Sequence, residues 1–373
     1  MRRALAIPLL LALAAGVADR AALADPPGLK TLAVGAKAPD FRLPGVDGKT
    51  YSLKNFDGAK LLVVVFTCNH CPTAQAYEDR IAKFHDDYKG RGVAVVAISP
   101  NDPDAVRLDE LGYSDLGDSF EEMKVRARDR HYAYPYLYDG EAQATARAYG
   151  VLATPHVYIF DAGRALRYVG RFDDGEVKPV KSHDAINAVE ALLAGKDVPA
   201  ATTRVVGCST KWSDKRADAA RSLAKWDAEP VALGPIDDAA VAKLVKNEGK
   251  KYLLVNLWAT WCGPCVAELD DLVTINRMYR GRPFEAVTIA LDEPEKRDEA
   301  LRVLSAHRAS TKNYFVKTAD RDKFADALDK EWPGPVPYTM LIAPGGKVVY
   351  RKAGAFDALE LRRVIVGQIG RTY

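Results

Sequence analysis

The chain has 373 residues and five cysteines, four of which form two Cys-x-x-Cys pairs, Cys68-Asn69-His70-Cys71 and Cys262-Gly263-Pro264-Cys265. Two thiols at this spacing close into a disulfide and reopen by thiolate attack, so the first chemistry to consider is thiol-disulfide exchange. A purely structural bridge gains little from so short a loop, because the chain-entropy term grows with loop length. A four-cysteine zinc site is the other reading of paired Cys-x-x-Cys motifs, but such knuckles sit on turns between polar segments. Here each pair follows an unbroken apolar run, Leu61-Leu-Val-Val-Val-Phe66 or Leu253-Leu-Val-Asn-Leu-Trp258. Such runs read as buried parallel strands. Each dithiol is therefore expected where a strand hands over to a helix N-terminus, where unpaired N–H groups and the helix dipole favour a thiolate.

Around these pairs the pattern alternates strand and helix twice. In the first half, Phe41 to Leu53 reads as a hairpin about Asp47-Gly48, followed by strands Leu61–Phe66, Val93–Ile98 and His156–Phe160, an edge strand Ala165–Gly170, and helices over Cys71–Lys89, Ala142–Tyr149 and Asp184–Leu193. An insertion from Asn101 to Tyr134 holds a charged, helix-like stretch, Phe120 to Arg130. The second half has a helix near Asp238–Asn247, strands Lys251–Trp258, Phe284–Ala290, Tyr338–Ile342 and Lys347–Arg351, and a closing helix Ala358–Gly367. After the second dithiol, Val266, Leu269 and Val273 fall on one face of a single predicted helix, with further helical stretches at Glu293–Ser305 and Asp320–Leu328. This is an α/β chain with a mixed sheet in each half. The predicted divisions are 1–24, a signal peptide; 28–197, the first domain; 198–230, a linker holding Cys208 and the helix-like stretch Asp214–Trp226; and 231–373, the second domain.

The first residues suggest export. Arg2 and Arg3 precede the apolar stretch Ala4 to Ala15, and Ala22-Leu23-Ala24 precedes Asp25, which predicts cleavage after Ala24 and a periplasmic or secreted protein. The apolar stretch falls short of the ~20 residues a membrane span requires, so no stable membrane insertion is expected. The signal segment carries three arginines and one aspartate, so the formal charge of +3 falls to +1 on its removal. That balance gives no basis for nucleic-acid binding. Each half also carries a proline just before a strand, Thr154-Pro155 and Val336-Pro337. A cis bond there would expose the backbone of the preceding residue to an extended partner.

These residues carry a family resemblance. Trp258-Ala-Thr-Trp261-Cys262-Gly-Pro-Cys265 with Val336-Pro337 resembles the thioredoxin fold, and over residues 235–373 the exported TlpA-like thiol-disulfide reductases. Asn256 stands where thioredoxin carries an acidic residue, and Glu268 stands where TlpA-like proteins commonly place a glutamate. One helical turn from Cys265, Glu268 is either the base that deprotonates the resolving thiol or a first-turn acid stabilised by the helix dipole. Residues 35–195 resemble the redoxin branch that holds the alkyl hydroperoxide reductase and thiol-specific antioxidant proteins, through Gly35-Ala-Lys-Ala-Pro39-Asp40-Phe41, Cys71-Pro72-Thr73 and Thr154-Pro155. Cys68 replaces the peroxide-binding threonine of true peroxiredoxins, and the closer likeness is to a Cys-x-x-Cys subgroup ending as Gly207-Cys208-Ser-Thr-Lys211-Trp212 does. Arg171 is a candidate for the peroxiredoxin arginine. The resemblance implies two tandem thioredoxin-like domains after a cleaved signal peptide. In these, Cys262 attacks, Cys265 resolves, Cys68 and Cys71 form a second dithiol, and Pro155 and Pro337 flank the sites.

The dipeptides between the cysteines help set the direction of electron flow. Gly263-Pro264 is the reducing choice, whereas His70 before Cys71 stabilises a thiolate and raises the potential. The second domain is thus expected to be the more reducing and to pass electrons to the first. The leading reading is an exported thiol-disulfide oxidoreductase acting on protein disulfides or redox partner proteins, with no cofactor or resident metal. Three others stand beside it: hydroperoxide reduction by an antioxidant first domain; copper handling by Cys68, Cys71, His70 and His156; and a docking module with a vestigial dithiol. Trp258 and Trp261 read as packing and partner surface. Cys208 is either a resolving thiol or a small buried hydrophobe.

Overall fold

The computed structural model describes residues 25–176, 179–317 and 320–372; the predicted signal peptide lies outside them. Two sheets organise the chain. The first unit runs β1 (Arg42–Pro44), β2 (Thr50–Ser52), β3 (Leu61–Phe66), α1 (Pro72–Tyr88), β4 (Val93–Ser99), α2 (Phe120–Asp129), β5 (Tyr136–Tyr138), α3 (Ala144–Tyr149), β6 (Ala153–Thr154), β7 (His156–Phe160), β8 (Leu166–Gly170) and α4 (Asp184–Leu193). Its five-stranded sheet has the order β5-β4-β3-β7-β8, with β3–β4 and β4–β5 parallel and β3–β7 and β7–β8 antiparallel. All six residues of β3 are buried, because α1 and α4 cover one face of the sheet and the Phe41, Tyr149 and Phe160 cluster fills the other. A strand buried on both faces reads as a continuous apolar run rather than an alternating one.

The chain continues through β9 (Cys208–Ser209) and α5 (Arg216–Asp227) into the second unit: β10 (Gly234–Ile236), α6 (Asp238–Lys246), β11 (Tyr252–Trp258), α7 (Gly263–Ala267), α8 (Leu269–Tyr279), β12 (Phe284–Ala290), α9 (Arg297–Ala306), β13 (Lys312–Val316), α10 (Arg321–Leu328), β14 (Tyr338–Ile342), β15 (Val348–Ala353) and α11 (Ala358–Ile369). The six-stranded order is β10-β13-β12-β11-β14-β15. Both units are mixed α/β sheets flanked by helices. The single helix expected after the second dithiol is broken at Glu268, which ends α7 and begins α8 with φ −84° and ψ −5°.

The segment expected to be a linker is packed against the first unit. Thr202 bridges Val169 beside β8, and β9 pairs antiparallel with β6, Ala153 opposite Ser209 and Thr154 opposite Cys208. The Lys211 backbone N–H donates to Asn101 Oδ1 and its ammonium to Glu110. Trp212 is 1% exposed within the Tyr149 and Phe160 cluster, with the Arg147 guanidinium 4.8 Å from its ring. Beyond it, Asp227 binds Arg277 and Arg308 of the second unit, so the handover falls near α5.

The two units meet where α8 and α11 approach the loop between β4 and α2. Tyr279 Oη donates to Ser114 O at 2.7 Å, Arg282 donates to Gly112 O, and Arg371 binds both Asp115 and Gln75. Asp115 is 3% exposed and also receives Arg126 from α2.

If Trp212 belongs to the first core, Trp212→Ala will destabilise the first unit by about 3–5 kcal/mol, the usual cost of truncating a buried tryptophan. A linker residue would change stability by no more than ~0.5 kcal/mol. Denaturant melts followed by a probe in the first unit distinguish the two.

Candidate functional site

In both units the sulfur sites are built from the same three pieces: the end of a central strand, the first turn of a helix, and the strand that follows a cis-proline. Phe66 of β3 lies opposite His156, and Leu257 of β11 lies opposite Tyr338, each the residue directly after its proline. Counting forward from those equivalent positions, Cys71 corresponds to Cys262, Cys68 to Ala259, and Ala74 to Cys265. The capping geometry agrees. Cys71 is the N-cap of α1 and its Sγ accepts from Ala74 N at 3.4 Å, whereas Cys262 is the N-cap of α7 and its Sγ accepts from Cys265 N at 3.3 Å. The two Cys-x-x-Cys pairs are therefore offset by three residues. The expectation that both pairs open their helices alike is corrected: the capping thiol is the second cysteine of the first pair and the first of the second. Pro72 at the first helical position sets this start, since its fixed φ and missing N–H suit that position.

Around the first pair the surroundings are buried and polar. Cys68 is 3% exposed, Cys71 fully buried, and both are reduced. Cys68 Sγ lies 3.1 Å from Thr154 Oγ1 and 3.7 Å from His70 Nδ1, and Cys71 Sγ donates to Thr154 O. His70 Nδ1 is 2.6 Å from Asp118 Oδ2, and Asp118 also accepts from the Asn69 and His70 amides and from Asn101 Nδ2. Burial alone would neutralise both members of this pair. The mutual attraction outweighs it, raising the pKa of His70 and lowering that of Asp118. Burial likewise opposes a thiolate on Cys71, but hydrogen bonds from Cys208 and Cys68, the His70 charge and the Ala74 N–H outweigh it and hold its pKa well below the ordinary thiol value. Cys68 moves the opposite way, pushed up by burial, by its hydrogen bond to Cys71 and by the Asp118 charge. The surroundings thus favour the thiolate on Cys71 and the thiol on Cys68.

Asp118 escaped the sequence reading. It lies 48 positions from His70 inside the charged insertion, and no short-range spacing connects them. Its presence also alters the metal-ligand set. Cys68, His70 and Asp118 place ligand atoms within 4.8 Å of one another, but His156, expected among the copper ligands, faces Tyr158 Oη and Leu152 N, and burial pushes its pKa down to about 3. The Nδ1 of His70 is already engaged by Asp118, so the trio is organised as an ion pair beside a thiol. Arg171 pairs with Asp184 at 2.6 Å.

The second pair is a Cys262–Cys265 disulfide. Cys262 is 7% exposed and Cys265 fully buried, with Gly263 and Pro264 forming the first turn of α7. The preceding turn is held by Thr260, whose N–H and Oγ1 both donate to Asp292. Trp258 is core; Trp261 is 71% exposed at the mouth of a cleft of about 680 Å³ that is also lined by Asp292, Trp332, Pro335 and Val336. Glu268, 5% exposed, accepts from Asn256 Nδ2 at 2.8 Å and from Phe356 N at 3.2 Å. Burial raises its pKa to about 7, partly offset by those two donors. Asn256 thus stands under a carboxylate supplied from the helix rather than the strand. The Thr154-Pro155 and Val336-Pro337 bonds are both cis.

Residues 34–169 match the AhpC/TSA family and residues 197–364 the Redoxin family. Among curated proteins, the thiol-disulfide oxidoreductase ResA of Oceanobacillus iheyensis is 30% identical over 125 residues, 33% of this chain and 60% of that protein. ResA of Bacillus cereus is 32% identical over 117 residues, 30% of this chain and 59% of that protein. The chain thus spans about 60% of the length of these relatives. A solved hypothetical protein of Sinorhizobium meliloti is 36% identical, covering 49% of this chain and 97% of that one with a TM-score of 0.44. The chain belongs to the thioredoxin superfamily, with an AhpC/TSA-type first half and a Redoxin-type second half.

Proposed function

We propose that the protein is an exported thiol-disulfide oxidoreductase whose second domain reduces disulfides of protein partners and passes electrons to its first. The observation that carries this reading is the Cys262–Cys265 disulfide capping α7 beside an open cleft, with Glu268 buried one turn away. In the reduced state the Cys262 thiolate, favoured by the Cys265 N–H and the helix terminus, attacks a partner disulfide. Cys265 then loses its proton, with Glu268 as acceptor, and displaces the partner from Cys262. The exposed Trp261 ring and the Val336 backbone edge offer the surface on which an extended segment would lie. Relatives named thiol-disulfide oxidoreductases support the reaction class.

For the first domain, the cysteine–threonine contact at Cys68 and the complete burial of Cys71 favour dithiol exchange over a hydroperoxide pocket. The His70–Asp118 pair stabilises the reduced, thiolate form of Cys71, which makes the first site the more oxidising of the two. Full-length variants that keep one dithiol each, Cys68→Ser/Cys71→Ser and Cys262→Ser/Cys265→Ser, allow both potentials to be measured. A first-site potential equal to or below the second's would reverse the proposed direction.

Cys262→Ser is expected to lower the rate of reduction of an oxidised protein substrate by ~10²-fold or more, equivalent to about 2.7 kcal/mol of barrier. An unchanged rate in that variant would remove Cys262 from the mechanism.

Glu268 gives a pH signature. Its pKa rises from 4.5 unfolded to about 7 folded, so the folded state holds the proton more tightly. The stabilisation is full below pH 4.5 and is lost as pH rises toward 7. The melting temperature of the wild-type chain should therefore fall more steeply across that interval than that of Glu268→Gln. In single-turnover resolution, the wild-type rate should rise with an inflection near pH 7 that Glu268→Gln abolishes. Parallel profiles for the two proteins would argue that Glu268 serves the fold alone.

A further inference from the structure

The partner edges of the two units differ in what occupies them. In the second unit Val336 faces the open cleft beside Trp261. In the first unit the equivalent residue, Thr154, is already paired antiparallel with Cys208 of the same chain. The Cys208 side chain packs on the cluster of Cys68, Cys71 and Ala74 and hydrogen-bonds the Cys71 thiol. It is half-buried, whereas Cys71 beneath it has no exposure at all. The approach is closely fitted: a Cβ at Gly207 would lie 2.0 Å from Thr154 O and 3.2 Å from Pro155 N, both backbone atoms with no freedom to retreat. Downstream, Lys211 and Trp212 hold the segment to Asn101, Glu110 and the first core.

We propose that residues 207–212 form a built-in strand occupying the first site's partner edge, and that Cys208 is the solvent-side redox thiol of that site, forming a disulfide with Cys71. This rests on the oxidoreductase reading above and adds a third redox cysteine to it. In the oxidative direction, the Cys208 thiol loses its proton and attacks an incoming disulfide RSSR′, releasing R′S⁻, which takes up a proton. The Cys71 thiolate then attacks the Cys208 sulfur and releases RS⁻, which is protonated in turn. The sum is Cys71-SH + Cys208-SH + RSSR′ → Cys71-S-S-Cys208 + RSH + R′SH, a transfer of two electrons and two protons. In reverse, a thiolate attacks Cys208 and Cys71 leaves, and an acidic leaving thiol departs faster. Electrons therefore reach the buried Cys71 without the core opening.

The test uses the full chain carrying Cys68→Ser, which removes the competing Cys68–Cys71 disulfide. The protein is equilibrated in mixtures of oxidised and reduced dithiothreitol, quenched in acid, digested without reduction and mapped by mass spectrometry. A Cys71–Cys208 linked peptide whose yield follows the dithiothreitol ratio is expected. Cys71 that never links to Cys208 overturns the proposal, and cycling of Cys262–Cys265 in the same sample separates that outcome from failure of the oxidoreductase reading. Gly207→Ala provides a second readout independent of disulfide yield. It should dislodge the strand and raise the rate at which N-ethylmaleimide labels Cys71 by ~10-fold or more, as a local opening of the cover would. Cys208→Ser, which keeps the backbone pairing, should leave Cys71 shielded. Equal labelling of Cys71 in the wild-type and Gly207→Ala proteins would show that the strand is not its cover.

Discussion

A sulfur at the N-cap of a helix accepts a backbone N–H and sits at the positive end of the peptide dipoles, and both effects favour its anion over its thiol. One unit of thiol pKa is about 1.4 kcal/mol of preference for the thiolate, so the placement of this cap decides which cysteine can act. Its place beside the sheet follows from strand register, and in the first unit Pro72 marks the helix start as well. Phe66 opposite His156 and Leu257 opposite Tyr338 bring the end of a buried strand beside the residue that follows a proline, and the chain then needs the same number of residues to reach the cap. A slip of one position in either ladder would turn every inward residue of β3 or β11 to the opposite face. Alternate residues of β3 and β11 pack in different, closely filled clusters, so that exchange of faces would misfit both cores.

With the cap held constant, the two sites diverge through their surroundings. The first encloses charge: His70 and Asp118 are almost entirely buried, and each carries hydrogen bonds enough to make burial tolerable. Such a pair adds little net stability, because desolvation offsets its attraction. What it does is hold a positive charge beside Cys71. Among the described residues, the second site has no comparable ion pair on its cap. It has instead the buried Glu268 carboxyl, whose pKa is raised to about 7, an exposed aromatic ring and an open edge. One site encloses charge beside a buried sulfur, whereas the other leaves an aromatic ring and a strand edge open to solvent.

The central strands and both dithiols were legible because buried parallel strands are written as continuous apolar runs and Cys-x-x-Cys is a local pattern. The short strands β5, β10 and β13 are not distinct in the sequence, since three to five residues are too few to show a period. The offset between the pairs is marked in the sequence by the prolines. Proline directly after Cys71 marks a first helical position, whereas in Cys-Gly-Pro-Cys the proline comes one residue later. Residues 198–230 read as a linker between the two alternating patterns, yet their first part packs on the first unit. Their attachment to the first unit depends on Gly207, Lys211 and Trp212 meeting residues more than 50 positions away, which no local window contains. Asp118 was hidden for the same reason.

The loop between β4 and α2 connects these features. Ser114 and Asp115 receive Tyr279, Arg363 and Arg371 from the second unit, and three residues after Asp115, Asp118 grips His70. Gln75 of α1 closes the circuit, donating to His70 O and Tyr113 O while accepting from Arg371. The charge on Cys71 is set partly by His70, the charge on His70 by Asp118, and the position of Asp118 by a loop that the second unit holds. The same short loop therefore carries both the carboxylate beside the first site and the contacts that join the units. This adjacency follows from the insertion having been used twice, once to complete a site and once to make an interface. It gives the charged stretch after β4 a physical reason to exist in a chain built from two otherwise independent sheets.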